Sequence, residues 1–379
     1  MRVALFTECY RPIVNGVVAS VDALADGLRE RHHEVFCFAP RVPGYDERPG
    51  PVFRMPSLPL PVKTPYRLTL PLVSRKNLNG VIKRLSIIHA HSPFITGWMS
   101  VWYARRFGIP LVYTYHTQLE EYAHYVPFDA KAIRTAASSL TRRYANAADA
   151  VVVPTAAMRK RLRDLGVRSR IEVVPTGVDL GTFGEGRRRP EVRTQLGVAG
   201  DEPLALTVCR LGHEKNIELM IDAIATDGGR LHLAIVGDGP ARSHLERHAR
   251  RRDVGDRVRF VGQVDRARLP DIYASADVFL FTSVSETQGI VLAEALAAGC
   301  RIIAVDTPQT REVLGDAATY VSSERASLAE ALASVAGPPP PEVQNRAKRA
   351  AAAFGSALQI DRMLQLYADL LPRRQLAPA

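Results

Sequence analysis

The sequence predicts an α/β protein made of two units, each a parallel sheet with helices on both faces, set across a cleft. Three observations carry this. Short continuous apolar runs alternate with helix-period segments almost throughout, which is how strands buried on both faces and their crossover helices read. The alternation stops at 180–203, "LGTFGEGRRRPEVRTQLGVAGDEP", a stretch rich in Gly, Arg and acid that reads as a linker, and then restarts. A chain of 379 residues also exceeds one ordinary core and suits two.

In the first unit the expected strands are "VALFT" (3–7), "EVFCFA" (34–39), "IIHAH" (87–91), "LVYTY" (111–115), "AVVVP" (150–154) and "IEVVP" (171–175). Helical periodicity falls between most of them, at 17–31, 94–107, 131–147 and 155–166. The second unit restarts with "LALTVCR" (204–210) and continues with "LHLAIVG" (231–237), "RVRFVG" (257–262), "DVFLF" (277–281) and "RIIAVD" (301–306). The proline run in "AGPPPPEVQ" (336–344) reads as a rigid spacer, followed by a last helix over about 356–371. The expected domains are therefore 1–180, 181–355 and a terminal helix in 356–379 that crosses back to the first. Ligands of open α/β sheets sit at the carboxyl ends of the strands, so the loops there hold the candidate residues.

Composition narrows the class. The apolar share of 46% is that of a globular protein, and no apolar run approaches the roughly 18–20 residues of a membrane span. "MRVALFTECY" reads as a first strand and not a secretory signal. Cys9, Cys37, Cys209 and Cys300 are far apart and form no metal spacing, as expected of reduced thiols in a cytosolic protein. The net charge of +11 is uneven: from Arg48 to Leu119 there is no Asp or Glu but ten Lys or Arg. The stretch 131–170 holds ten more against Asp149 and Asp164. Such a surface attracts an anionic membrane or a nucleic acid, unless it is simply a solvated basic face. No helix-turn-helix, zinc or RNA-binding signature supports the nucleic acid.

The most informative stretch is "SETQGIVLAEALAAGC" (285–300). Glu286 falls in a loop at a strand's end and Glu294 in the second turn of the next helix. Between them, Gly289 and Ile290 open that helix, whose unpaired N–H groups and dipole favour an anion. A phosphate flanked by sugars fits this arrangement. "CRLGHEKN" (209–216) brings Arg210 and Lys215 to another strand end, where two cations can neutralise a departing diphosphate. "VGDGP" (236–240) is a strand-to-helix turn, but not a dinucleotide fingerprint. "YRPIVNGVVAS" (10–20) offers Asn15-Gly16 for close backbone approach, and "YHTQLEEYAHYVP" (115–127) puts His116 at a strand end before a rim that includes Tyr122 and Tyr125. There is no DxD, and His89-Ala-His91 lacks a third ligand, so no metal or other cofactor is expected beyond the co-substrate.

On these residues the sequence resembles the GT-B retaining glycosyltransferases of family 4 over nearly its whole length. The resemblance rests on Glu286 and Glu294, the Arg210…Lys215 pair, the Gly237-Asp238-Gly239-Pro240 turn, the Asn15-Gly16-Val17 loop and "VPTGVD" (174–179). Within the family, "SETQG" and "YHTQLEEYAHYVP" look most like bacterial diacylglycerol glucosyltransferases. Gln288 and Thr176 stand where sugar-only relatives usually carry Phe and Asn, as in the lipid-glycosylating members.

The resemblance implies a GT-B fold of two Rossmann-like, doubly wound domains. It implies that Arg210, Lys215 and the backbone at Gly289 and Ile290 hold the donor diphosphate, with Gly16 and the Gly237 turn nearby. Glu294 would bind the ribose, Glu286 the donor sugar, His116 its C6 hydroxyl and reacting face, and Val264 the base through its backbone. The implied reaction moves a hexose, from UDP-glucose in the first instance, to a lipid hydroxyl such as that of diacylglycerol, with retention. The basic segment with Lys63, Arg67, Arg75, Lys76, Lys83 and Arg84 would dock on anionic lipid, making the enzyme peripheral on the inner face of the cell membrane. The alternatives are a same-fold transferase using GDP-mannose or a soluble acceptor and, more remotely, a sugar-nucleotide 2-epimerase.

Overall fold

The computed structural model describes residues 1–45, 50–60, 66–71, 75–121, 129–226 and 228–371. The chain divides into two compact units, Met1–Gly177 with the segment from Ser356 onward, and Val178–Gly355.

The first unit runs β1 (Arg2–Phe6), α1 (Gly16–Glu30), β2 (Glu34–Pro40), β3 (Val52–Met55), β4 (Ser57–Pro59), β5 (Arg67–Thr69), α2 (Arg75–Ile82), β6 (Ile87–Ala90), α3 (Ile95–Phe107), β7 (Leu111–Thr114), α4 (Ala130–Ala145), β8 (Ala150–Val153), α5 (Ala156–Asp164) and β9 (Arg170–Val173). Seven strands form one sheet in the order β3-β2-β1-β6-β7-β8-β9, every neighbour parallel. The short β4 and β5 pair separately as an antiparallel hairpin. β6, β7 and β8 are buried at every position, as strands covered on both faces must be. One covering layer holds Val21, Leu24 and Leu28 of α1, and the other Val101 and Ala104 of α3 with Tyr144 of α4.

The second unit runs α6 (Leu180–Gly184), α7 (Pro190–Gln195), β10 (Leu204–Val208), α8 (Ile217–Ile224), β11 (His232–Val236), α9 (Arg242–Arg251), β12 (Val258–Gly262), α10 (Leu269–Ser275), β13 (Val278–Phe281), α11 (Ile290–Ala297), β14 (Ile302–Val305), α12 (Pro308–Leu314), β15 (Ala318–Val321), α13 (Arg325–Ala333) and α14 (Pro341–Ala351). Its six strands are all parallel, ordered β12-β11-β10-β13-β14-β15. The chain then enters α15 (Ser356–Leu370), whose Ile360, Met363, Leu366 and Tyr367 complete the α1 side of the first unit's core. Both sheets are doubly wound and Rossmann-like. In each, the strand order reverses beside the first strand of the unit, between β1 and β6 and between β10 and β13.

Two expectations need correction. The stretch 180–203 is not a bare linker: Asp179 caps α6 by accepting from the Thr182 N–H at 3.1 Å, Pro190 opens α7, and Phe183, Leu196 and Val198 join the core. Arg193, which looked like linker charge, is 5% exposed. Its guanidinium donates to the carbonyls of Glu202 (2.7 Å) and Ser275 (2.9 Å) and meets the Asp277 carboxylate at 3.2 Å. The proline run is not only a spacer either. Pro341 occupies the first turn of α14, where a missing N–H costs nothing, and Ala347 and Ala351 are buried.

Candidate active site

In the second unit the loops after β10 and β13 leave adjacent strands at the point where the strand order reverses. The β10 loop is held by backbone. The Leu211 N–H donates to the Asp238 carbonyl and the Ala241 N–H to the Leu211 carbonyl, both at 3.0 Å. A Cβ on Gly237 would sit 1.9 Å from the Cys209 carbonyl oxygen, and one on Gly239 2.4 Å from that of Leu211. The glycines of "VGDGP" are thus explained by the loop pressed onto them. The loop then closes as a short 3₁₀ turn, His213–Lys215, with Asn216 left-handed at φ 52. From the β13 end, the Thr282 hydroxyl donates to the carbonyls of Lys215 (2.8 Å) and Asn216 (2.9 Å), and Ser283 to that of Glu214 (3.1 Å).

These anchors bring the predicted residues together. The Lys215 ammonium pairs directly with the Glu286 carboxylate, both side chains mostly buried. Arg210 is more exposed and lies 3.7 Å from Glu214. Gly289, at φ 76, precedes α11 with no side-chain cap, so Ile290 opens the helix beside the same loop. Val264 is half-buried against the core, beyond β12. Two cations, a carboxylate and a helix N-terminus around one loop pair can take a diphosphate and neighbouring hydroxyls.

Glu294 lies in the second turn of α11, but its carboxylate is nearly sealed. It accepts from the Tyr273 hydroxyl at 2.9 Å and pairs with Arg266 at 2.7 Å. Burial pushes its carboxyl above the usual range, while Arg266 and Tyr273 oppose that. Arg266, half-exposed and stacked 5.6 Å above the Phe183 ring, was not read from the sequence, where it is one arginine of many on a polar turn.

In the first unit His116 lies two residues beyond β7, and its Nε2 is 2.9 Å from Nδ1 of His91, just beyond β6. His91 is 3% exposed and was dismissed in the sequence for want of metal partners. Burial holds the His116 imidazole down to about 4. Gly16 is the exposed first residue of α1, whose N-cap Asn15 accepts from the Val18 N–H at 2.9 Å. The polar rim after His116 begins with Glu120, buried and held by Arg161 at 2.6 Å. Tyr122 and Tyr125 lie outside the described residues, as do Lys63 and the side chains of Arg75 and Lys76. The Arg67 guanidinium donates to the Ser57 hydroxyl at 2.8 Å across the β4–β5 hairpin, whereas Lys83 and Arg84 are exposed. Among the described residues no three His, Cys, Asp or Glu are grouped to hold a metal, and no helix is long and apolar enough to cross a membrane.

Comparison with known proteins identifies the family. Residues 14–182 match the family model described as Glycosyltransferase Family 4, and residues 188–353 the model described as Glycosyl transferases group 1. The chain is 32% identical over 330 residues to the alpha-monoglucosyldiacylglycerol synthase of Streptococcus pneumoniae, covering 83% of this chain and 74% of the relative. It is 31% identical over 323 residues to a GDP-mannose-dependent alpha-mannosyltransferase of Mycobacterium tuberculosis, covering 83% and 81%. Among solved structures, sucrose-phosphate synthase from Thermosynechococcus elongatus superposes with a TM-score of 0.78 at 22% identity, over 97% of this chain and 98% of that one, a likeness of fold. With two Rossmann-like units and these relatives in hand, the chain belongs to the family 4 glycosyltransferases, hexose-transferring enzymes of the GT-B fold.

Proposed function

We propose that the protein transfers glucose from UDP-glucose to the hydroxyl of a diacylglycerol-type lipid at an anionic membrane surface, keeping the α configuration and needing no divalent metal. The observation that carries this reading is the Lys215–Glu286 pair beside Arg210 at the strand-order reversal. It sets positive charge for a leaving diphosphate next to a carboxylate for sugar hydroxyls. The similarity to a glucosyldiacylglycerol synthase supports the donor and the acceptor.

In the reaction, the bond between the sugar's C1 and the β-phosphate oxygen breaks, its electron pair leaving with the diphosphate. The acceptor oxygen bonds C1 on the same face, and its proton passes to the departing phosphate. Arg210, Lys215 and the N–H groups at Ile290 stabilise the charge that grows on that phosphate. Glu286 holds the sugar's hydroxyls, and Glu294 the ribose. The exposed cations Lys83 and Arg84 attract anionic headgroups, each worth about 1 kcal/mol near the surface.

The test incubates the protein with radiolabelled UDP-glucose and vesicles of diacylglycerol and anionic phospholipid, with EDTA or added Mg²⁺, followed by extraction into organic solvent. Label in the organic phase that survives EDTA and is lost in Glu286→Ala supports the reading. A second reading, mannose transfer from GDP-mannose, draws on the mannosyltransferase relative. Consumption of GDP-mannose with UDP-glucose untouched would select it.

A further inference from the structure

We propose that Arg266 is a positioning residue for the donor's ribose: it lies across the Glu294 carboxylate, balances that buried charge, and gives Oε1 up to a ribose hydroxyl when the nucleotide enters. The inference rests on the reading of Glu294 as the ribose-binding residue and goes beyond it by naming what keeps the carboxylate ready.

All the groups involved belong to the second unit. Glu294 projects from the second turn of α11 with its side chain 2% exposed, so water offers it almost nothing. Its two oxygens are held differently. The Tyr273 hydroxyl of α10 donates to Oε2 at 2.9 Å. Oε1 has the Arg266 Nη2 at 2.7 Å, yet it is buried and takes no well-directed hydrogen bond among the described residues. The charge of the anion is met while one oxygen keeps a lone pair for a further donor.

Arg266 is the side of this pair that can move. Its side chain is half-exposed where that of Glu294 is sealed. It begins the three-residue 3₁₀ turn Arg266–Arg268, whose N-cap Asp265 accepts from the Ala267 N–H at 3.1 Å. Its guanidinium stands 5.6 Å above the Phe183 ring of α6, a face over which a planar cation can shift without losing its contact. Val264, expected to meet the base, is two positions earlier in the same loop. A hydroxyl reaches Oε1 once the guanidinium turns outward.

The cation matters because a buried carboxylate without one reverts to the neutral acid. Burial pushes the Glu294 carboxyl up, and the charge of Arg266 opposes this more than the Tyr273 hydrogen bond does. Tyr273, buried beside the carboxylate, is held far from ionisation and stays a donor. The Asp179 carboxylate at the start of α6 also feels the Arg266 charge. A protonated Glu294 would turn one acceptor oxygen into an O–H and hold a ribose hydroxyl less strongly.

Isothermal titration calorimetry on the full chain tests this with UDP and GDP, each against its 2′,3′-dideoxy form. The proteins are wild type, Arg266→Lys, Arg266→Met, Glu294→Gln and the Arg266→Met/Glu294→Gln double variant, each first shown to melt as a folded protein. Wild type should prefer the nucleotide with its ribose hydroxyls by about tenfold to a hundredfold, the worth of hydrogen bonds to a charged acceptor. Arg266→Met should shrink that preference to about threefold or less and leave the dideoxy affinity unchanged, while Arg266→Lys keeps most of it. Donor KM should rise about tenfold in Arg266→Met with kcat little altered, as for binding lost equally from ground and transition states. On the Glu294→Gln background, Arg266→Met should cost nothing further. That comparison strands no charge, so it can be read even where the single Met variant does not fold. A full hydroxyl preference in Arg266→Met, an equal loss for both forms of the nucleotide, or a further loss on the Glu294→Gln background would overturn this inference alone. Wild type that does not distinguish the two forms, or binds neither nucleotide, would overturn it together with the ribose role of Glu294.

Discussion

Arg210 and Lys215 carry the same charge from one loop but stand in different surroundings. The Lys215 ammonium is already paired with Glu286 and mostly buried, while the Arg210 side chain is 40% exposed near Glu214. Arg210→Ala should remove phosphate stabilisation and also leave the mostly buried Glu214 carboxylate without its nearby cation, lowering kcat/KM by about 2.7–4 kcal/mol, the cost of losing one preorganised donor. Full kcat/KM in that variant would refute the diphosphate assignment. Lys215→Ala also strands a carboxylate, so Lys215→Ala and Glu286→Gln should couple by about 0.5–3 kcal/mol in a double-mutant cycle on kcat/KM. Additive losses would mean that the pair does not work as a unit. Both loop cations and Glu286 were legible because each lies a few residues beyond an apolar strand. The partners of Glu294 were not: Tyr273 and Arg266 reach it from α10 and the turn before it, and only tertiary packing brings them there. Nor was the place of His91: "HAH" reads only as an incomplete ligand set, whereas the fold makes His91 a neighbour of His116.

Among the elements, α3 and the residue before it carry an exposed aromatic row. Phe94, Trp98 and Trp102 recur every four residues and are 44%, 38% and 51% exposed, with exposed Arg105 on the same helical face. Aromatic rings beside cations on an exposed face suit a membrane interface, where the ring body meets hydrocarbon and its polar edge meets headgroups. Trp98→Ala with Trp102→Ala should weaken sedimentation with anionic vesicles by about 1.5 kcal/mol or more per ring, while turnover of a water-soluble acceptor analogue is spared. Unchanged vesicle binding would move the docking face elsewhere. The strong strands were legible to within a residue or two because continuous apolar runs leave little choice. The short β3, β4 and β5 were not read, since their polar and proline-flanked residues lack that pattern. The helices α6 and α7 were hidden by composition: Gly and Arg look like linker until Arg193 is seen satisfied by buried carbonyls.

For the molecule as a whole, the three buried histidines make the first unit sensitive to acid. Burial depresses His89 to about 3, His116 to about 4 and His91 well below the ordinary 6.5. Folded, they stay neutral; unfolded, they take up protons below that ordinary value. Unfolding therefore binds protons, and the stability these groups preserve at neutral pH is lost as the pH falls from about 6.5 toward 4. By about pH 5 the loss is on the order of 2 kcal/mol for each of His89 and His116. The protein reports on this unit by itself, because its only two tryptophans, Trp98 and Trp102, both belong to α3. Urea unfolding followed by tryptophan emission should give a midpoint that drops steeply between about pH 6.5 and pH 5. His89→Asn, which can still hydrogen-bond Tyr367 but cannot titrate, should flatten the slope by about a third if all three histidines contribute alike. A wild-type midpoint that stays level across this range would mean the trio is already solvated or charged in the folded unit.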